Sequence, residues 1–357
     1  MATRLGVNAL LCRMFGPGSG ACSYMFRHLR PAEINRPQWD VLINEAPNGL
    51  IYALSWYLDI VSPGWEALVK EEAGRYVAVL PLPVRRKFGL RYLQQPLFAQ
   101  QLGLFSLESP TAADWQQVAQ LLRRFRFITQ YAFNTGNAEL LGAGQPGLAG
   151  AAFTTYYLAL RPPYEQLLAG YKPNRRWRLN QARRRGLRVE PTTDIDRMVQ
   201  IFAENTAPKI YGVIGEAYEY RLLRALYARA CQEGLATLWQ VRGAGGEVLA
   251  MGMLFHFRQH LTYIFNCSTR AGKEAGAISV LLDEVLRTHA GQDLVFDFEA
   301  PEVPNVAHFY SSFGPAPTPF LAIAANRLPW PVRQLKAARM ALYRRLRPRP
   351  APGPDAS

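Results

Sequence analysis

The stretch LVFDFEAPEVPNVAHFYSSFGPAPTPF, residues 294–320, decides the fold of this chain. Its apolar start predicts a buried strand over Asp293–Phe298, its centre a short helix over Asn305–Phe313, and its end a last strand near Pro319–Ala324. Patterns of period 2 and then 3.6 precede it: strands at Ala236–Val241, Val248–Phe257 and His260–Asn266, then a helix at Ala277–Ala290. This order predicts an α+β fold with mixed, largely antiparallel sheets flanked by helices.

The pattern of the chain changes near Arg161, which predicts a domain boundary. Short β-rich pieces punctuated by Pro and Gly dominate before it, and helical signals dominate after it. We expect an N-terminal domain over residues 25–160 and a C-terminal domain over residues 161–326. Residues 1–24 are expected to be a disordered or misassigned extension, and residues 327–357 a basic amphipathic helix with a disordered, Pro-rich tail.

The positive charge of the chain is concentrated in two runs. The sequence has 41 Lys and Arg against 27 Asp and Glu. The runs 172–188 and 327–349 each hold eight basic residues and no acid, so the rest of the chain is close to neutral. Such local excess charge favours an anionic partner.

Composition excludes several classes of protein. With 49% hydrophobic and 19% charged residues, the chain is typical of a folded globular protein. No apolar run is long enough for a transmembrane helix. The four cysteines are scattered, which indicates free thiols in a reducing, cytoplasmic setting. No His, Asp or Glu spacing suggests a metal site, and no histidine lies in a hydrolase motif.

The C-terminal half resembles FemABX-type acyltransferases of the GCN5-related N-acetyltransferase (GNAT) superfamily. The resemblance covers residues 163–324 and is carried by the basic helix ending in Arg-Arg-Gly-Leu, residues 184–187, and by the FDFE strand with its FYSSFG helix. The segment starting WDVLINEAPNGLIYAL at Trp39 is similar to the opening of an uncharacterised bacterial group of the same superfamily. The resemblance implies two tandem GNAT-like domains and an N-acyltransferase that uses acyl-coenzyme A.

Two segments are candidates for binding phosphate. STRAGKEAGAIS, residues 268–279, contains Arg270, Gly272 and Gly276 between a predicted strand and a predicted helix. Glycines allow backbone N–H groups to approach phosphate, although their spacing is looser than the family's Arg/Gln-x-x-Gly-x-Gly/Ala loop, and an ordinary exposed turn is the alternative.

The basic run 172–188 predicts a helix with little apolar surface to bury. Its arginines, which include Arg175, Arg176 and Arg184, are suited to phosphate because the guanidinium group is planar and forked. The alternative is a solvated surface helix. Lys209 and Tyr211, in the loop that follows, are further candidates for contact with the substrate.

Asp297, Glu299 and Tyr310 are the candidate catalytic residues. Strand alternation would direct Asp297 and Glu299 to the same side of the sheet, where burial would raise the carboxyl pKa towards that of a base. Tyr310 could protonate a departing thiolate. The alternatives are a carboxylate that holds a loop or pairs with an arginine, and a tyrosine that is part of the core.

These features predict a cytoplasmic N-acyltransferase in which an amine attacks an acyl group carried by coenzyme A or by transfer RNA. One alternative is a non-catalytic nucleic-acid-binding or phosphate-binding protein. Another is a membrane-peripheral transferase of envelope-polymer assembly, held on an anionic membrane surface by residues 329–347.

Overall fold

The computed structural model describes residues 25–87, 89–141, 149–205, 217–300, 303–331, 333, 334 and 338. The predicted extension 1–24, the candidates Lys209 and Tyr211 and most of the predicted C-terminal helix lie outside these residues.

Short strands alternate with helices in the first half of the chain. In order they are β1 (Arg27–Leu29), α1 (Arg36–Glu45), α2 (Ser55–Val61), β2 (Glu66–Glu72), β3 (Arg75–Leu82), β4 (Val84–Lys87), β5 (Leu90–Leu93), β6 (Phe105–Ser106), α3 (Ala112–Leu122), β7 (Phe127–Ala132) and β8 (Ala149–Ala159).

Helices are more frequent in the second half. In order the elements are α4 (Tyr164–Ala169), α5 (Pro173–Arg183), β9 (Arg188–Thr192), α6 (Ile195–Asn205), α7 (Ala217–Gln232), β10 (Ala236–Arg242), β11 (Val248–Phe257), β12 (His260–Ser268), α8 (Arg270–Ala275), α9 (Ala277–His289), β13 (Val295–Asp297), α10 (Pro304–Ser311) and β14 (Ala316–Asn326).

The strands form two sheets. One has the order β1-β2-β3-β6, and the other has ten strands in the order β4-β5-β7-β14-β8-β13-β12-β11-β10-β9. Pairing is antiparallel except for the parallel pairs β5–β7 and β12–β13. The predicted α+β class with mixed, largely antiparallel sheets is therefore confirmed.

The last strand, β14, lies between two strands of the first half. It pairs with β7 on one side and, along Ala316–Ala324, with β8 on the other. The strands before and after Arg161 thus share one continuous sheet. The predicted domain limits stay a prediction.

Two large apolar clusters cover the faces of this sheet. The larger joins the first half to α6 and α7, and rings such as Tyr57 and Phe255 meet in it, with their centroids 6.3 Å apart. The second lies under α5, α9 and α10 and includes Leu179, Leu281 and Phe313. Residues on α5, α9 and α10 are therefore held over one face of the sheet.

Strands β12 and β13 diverge at the centre of the sheet. They pair only from His260 to Thr262 with Val295 to Asp297, whereas β12 continues to Ser268. Beyond the last pair, β12 continues after β13 has ended, and Asn266, Cys267 and Ser268 at its end line a cavity. This end of β12 positions the candidate site.

Candidate active site

A cavity of about 770 Å³ lies between α5, the start of α9 and α10. Its volume is in the range of sites for small molecules and cofactors. Its charged lining residues are Arg175, Arg178, Arg185, Lys273 and Glu274. The cavity wall therefore carries an excess of positive charge, which suits an anionic ligand.

Helix α5 presents one face to this cavity. Arg175, Arg178 and Ala182 line it, and Arg185, in the turn just after the helix, continues the same spacing of three and four residues. The expectation that this helix has little to bury is wrong, because it buries Leu179 and Ala182 against the second apolar cluster. Packing therefore fixes the helix, and its arginines are held in defined positions.

Arg175 is a buried cation on the cavity wall. Its side chain is 8% exposed. Nε donates to Ser312 Oγ at 2.7 Å and Nη1 to Ser279 Oγ at 2.6 Å. The guanidinium carbon lies 4.2 Å from the centroid of the Phe309 ring. Burial, with a contribution from Arg178, lowers the pKa of Arg175 to about 10, so it is charged at neutral pH.

No carboxylate in the described part of the chain forms an ion pair with Arg175. A buried charge without an opposite charge is costly. By contrast Arg183, on the same helix, pairs with the buried Asp283 at 2.5 Å. Arg175 is thus suited to an anion supplied by a ligand.

The glycine-containing segment forms the facing wall. Thr269 caps α8 by accepting a hydrogen bond from the Gly272 N–H at 2.9 Å. A Cβ atom on Gly272 would collide with the Leu249 carbonyl. Gly276 has φ +73°, a left-handed conformation that ends α8 and lets α9 begin at the cavity. Gly272 therefore lets α8 pack tightly on β11, and Gly276 places the N-terminus of α9 at the cavity, where helix N–H groups can face a phosphate.

Tyr310 and Asn266 line the cavity where β12 and β13 diverge. Asn266 Nδ2 donates to Tyr310 Oη at 3.3 Å. Burial chiefly, and the charge of Glu299, raise the pKa of Tyr310 above its usual value. Its hydroxyl is therefore protonated at neutral pH and can act as a donor.

The buried Asp297 and the half-buried Glu299 form a carboxylate pair near Tyr310. Asp297 accepts hydrogen bonds from Thr155 Oγ1 at 2.8 Å and from the Glu299 N–H at 2.9 Å. Tyr52 Oη donates to Glu299 Oε1 at 2.9 Å. Burial chiefly, and then the charge of Asp297, raise the pKa of Glu299 well above 4.5.

Strand alternation does not set the orientation of these two carboxylates, contrary to the prediction. Strand β13 ends at Asp297, and Glu299 has φ +45°, so strand alternation does not extend to it. The left-handed backbone of Glu299 and the hydrogen bond from its N–H to Asp297 hold it beside Asp297 instead. A left-handed glutamate is strained, and such strain is common at functional sites.

Asp297→Asn should make the stability of the protein less dependent on pH. Burial raises the pKa of Asp297 from 3.8 to about 6, against the opposing hydrogen bonds from the Glu299 N–H and Thr155. The folded protein therefore holds a proton that the unfolded chain releases. This stabilisation is complete below pH 3.8 and is lost as the pH rises through about 6. The expected loss is about 3 kcal/mol.

Denaturant unfolding of both proteins between pH 4 and pH 7 measures this difference. Asp293→Asn is the matched control, because Asp293 lies just before the same strand with a side chain that is 75% exposed. Parallel pH profiles for the natural protein and the Asp297→Asn variant would contradict the assignment.

The predicted phosphate-binding residues differ in their placement. Arg175, Gly272 and Gly276 line the cavity. Arg176 and Arg184 are exposed on other sides of α5 and are not among the residues that line it. Arg270 is 92% exposed at its side chain and pairs with Glu274 at 3.0 Å. A role in phosphate binding stays a prediction for each of these six residues. The same holds for Lys209 and Tyr211, which lie outside the described residues.

Sequence reasoning missed Tyr52 and Asn266 as site residues, and it did not single out Arg178 and Arg185 among the arginines of the basic run. The spacing of Arg175, Arg178 and Arg185 along one helical face was a signal available in the sequence. Tyr52 had no such signal, because it is 247 residues from Glu299 in the chain.

Comparison with known families and structures agrees with this arrangement. Residues 173–302, from the start of α5 to just past Glu299, match the model for the acetyltransferase (GNAT) domain. Comparison with curated proteins finds no match. In the described residues no group of His, Cys, Asp and Glu is arranged to hold a metal ion.

Two solved structures are similar in fold. The crystal structure of FemX has a TM-score of 0.57 at 13% identity and covers 87% of this chain and 99% of its own. A conserved protein of unknown function from Bacteroides thetaiotaomicron has a TM-score of 0.56 at 10% identity, covering 84% of this chain and 99% of its own.

The matched domain is an acyltransferase domain, and it contains α5, the glycine segment and the carboxylate pair. Acyl transfer is therefore the class of reaction. Residues 173–302 thus match a GNAT domain, and the chain as a whole shares its fold with FemX.

Proposed function

We propose that this protein is an N-acyltransferase that binds an acyl-coenzyme A donor in the cavity between α5 and α9. The observation that carries the proposal is Arg175, a buried cation on the cavity wall that two serine hydroxyls and two phenylalanine rings hold in place. A donor phosphate would supply the missing negative charge. The start of α9 offers backbone N–H groups to the same phosphates, whereas the N–H groups of Gly272 and Gly276 already donate within α8 and its cap.

The acyl group would then lie near Tyr310 and Asn266, where β12 and β13 diverge. An acceptor amine attacks the thioester carbonyl carbon, and Glu299 takes the proton that the amine loses. The carbon–sulfur bond breaks, and the leaving thiolate takes the Tyr310 proton. Asp297 holds the Glu299 backbone and raises the pKa of its carboxyl. Direct transfer of this kind requires positioning and proton transfer rather than a covalent intermediate.

Calorimetric titration with acetyl-coenzyme A and desulfo-coenzyme A tests donor binding. An assay of thiol release with a panel of primary amines tests turnover. We expect binding of both compounds and amine-dependent thiol release. A protein that binds neither a coenzyme A thioester nor aminoacyl-transfer RNA contradicts the proposal.

Non-specific binding of nucleic acid is the competing function, and the positive wall of the cavity would also favour it. It predicts an affinity that falls steeply with salt for any polyanion of sufficient length. Binding of a short coenzyme A thioester in preference to single-stranded nucleic acid would exclude it.

None of the helices in the described part of the chain has the length and apolar character needed to span a bilayer. We place the reaction in the cytoplasm, where acyl-coenzyme A and transfer RNA are available. Contact with an anionic membrane surface through residues 329–347 would rest on a segment that lies mostly outside the described residues.

A further inference from the structure

We infer that Trp177 is a stacking platform for a nucleobase at the mouth of the cavity, and that the donor is therefore linked to a nucleotide. This inference rests on the proposed function and adds a subsite to it. Trp177 lines the cavity, yet its side chain is 62% exposed. Core packing therefore does not explain a large aromatic residue at this position.

The order of residues around α5 supports this subsite. At about 100° per residue, the cavity-facing arc of the helix runs from Arg175 through Arg178 and Arg185 to Trp177, a span of roughly 160°. Arg175 is at the buried edge and Trp177 at the exposed edge. The wall thus offers cations inside and a flat aromatic surface outside. This order matches a nucleotide that binds with its phosphates inside the cavity and its base at the opening.

The neighbouring cations strengthen the match. Arg178 and Arg185 lie on the arc between Arg175 and Trp177 and line the same cavity. Both are exposed, so they can follow a flexible phosphate chain. Every nucleobase has a π-face that can stack on indole, and base–aromatic stacking is strong enough to change affinity measurably.

Two donors share this chemistry. Coenzyme A carries an adenosine next to its phosphates, and a charged transfer RNA ends in an adenosine that bears the acyl group. The test therefore compares ligands that keep or lack the base. The probes are coenzyme A, 4′-phosphopantetheine and an aminoacylated RNA minihelix with either a normal or an abasic terminal nucleotide.

Trp177→Ala should weaken the binding of one base-containing probe about tenfold or more in calorimetric titration, as expected for a lost stacking contact. Binding of the matching probe without the base should not change. Trp177→Phe should restore most of the affinity, because it keeps an aromatic face. If Trp177→Ala weakens the binding of coenzyme A, the nucleotide belongs to coenzyme A. If it weakens the binding of the RNA minihelix, the nucleotide belongs to transfer RNA.

Trp330→Ala is the matched control, because Trp330 is 65% exposed and is not among the residues that line the cavity. Equal weakening of probes with and without the base, or no weakening of either, overturns the platform but leaves the donor proposal in place. Failure of the natural protein to bind any of the four probes overturns both.

Discussion

Glu299→Gln is expected to lower kcat/KM about 10²- to 10⁴-fold, the usual contribution of a general base. Glutamine keeps the size of the side chain and can still accept the hydrogen bond from Tyr52, but it cannot take a proton from the acceptor amine. Because Glu299 is not among the residues that line the donor cavity, the dissociation constant of acetyl-coenzyme A should not change. The loss should therefore appear in kcat.

The pH profile provides a sharper test of the same role. A base must be deprotonated to act, so kcat/KM should rise with pH through the pKa of Glu299, which lies well above 4.5. The charge of Asp297 contributes to that high pKa. Asp297→Asn should therefore move the rise to lower pH, whereas Tyr52→Phe, which removes a stabilising hydrogen bond, should move it to higher pH.

Glu284→Gln is the control for these measurements, since Glu284 pairs with Arg287 on the outer part of α9. It should leave kcat and the pH profile unchanged. A Glu299→Gln enzyme with full kcat would rule out Glu299 as the base. If the Asp297→Asn variant kept full activity and an unchanged pH profile of kcat/KM, the charge of Asp297 would not influence the pKa of Glu299.

Arg175→Met should weaken binding of coenzyme A about 10- to 100-fold, because hydrogen bonds to charged groups contribute about 1.5–3 kcal/mol. Methionine fills a similar volume but cannot contact a phosphate. The free energy of unfolding of the ligand-free protein should change by less than about 2 kcal/mol, since the substitution removes a desolvated charge together with two hydrogen bonds. A large loss of affinity with little loss of stability distinguishes a ligand-binding arginine from a structural one.

Arg176→Met is the matched control for this experiment. Arg176 is the next residue in the same helix but is exposed and does not line the cavity. The Arg176→Met variant should bind coenzyme A as tightly as the natural protein, apart from a small, salt-sensitive effect of net charge. Calorimetric titration at two ionic strengths, with denaturant unfolding of each variant, measures both quantities. Equal losses of affinity in the two variants would assign Arg175 no specific contact.

Local sequence patterns predicted most of the elements around the site. The apolar run before Asp297 predicted β13, the spacing in Ala277–Ala290 predicted α9, and the basic run predicted α5. Each of these depends on neighbours within a few residues, for which periodicity is informative. The short helix α8 was not predicted, because Gly272 within it and Gly276 directly after it are typical of a turn.

The long-range features could not be read from local patterns. The contact between Tyr52 and Glu299 depends on how the two halves of the chain pack, and no periodicity reports it. The burial of Arg175 was equally hidden, because an arginine within a basic run usually remains in solvent. Charge patterning indicated the type of ligand, but only the packing of α5 on α9 separates Arg175 from Arg176.

The position of β14 between β7 and β8 has a consequence for biosynthesis. The central sheet cannot be completed until Ala316–Ala324 has left the ribosome, because that segment supplies the shared neighbour of two much earlier strands. Until then β7 and β8 expose unpaired edges, which are prone to association with other chains. Fragments that end before residue 316 should therefore aggregate when they are produced alone, and attempts to obtain the first half as an independent unit should supply β14 as well.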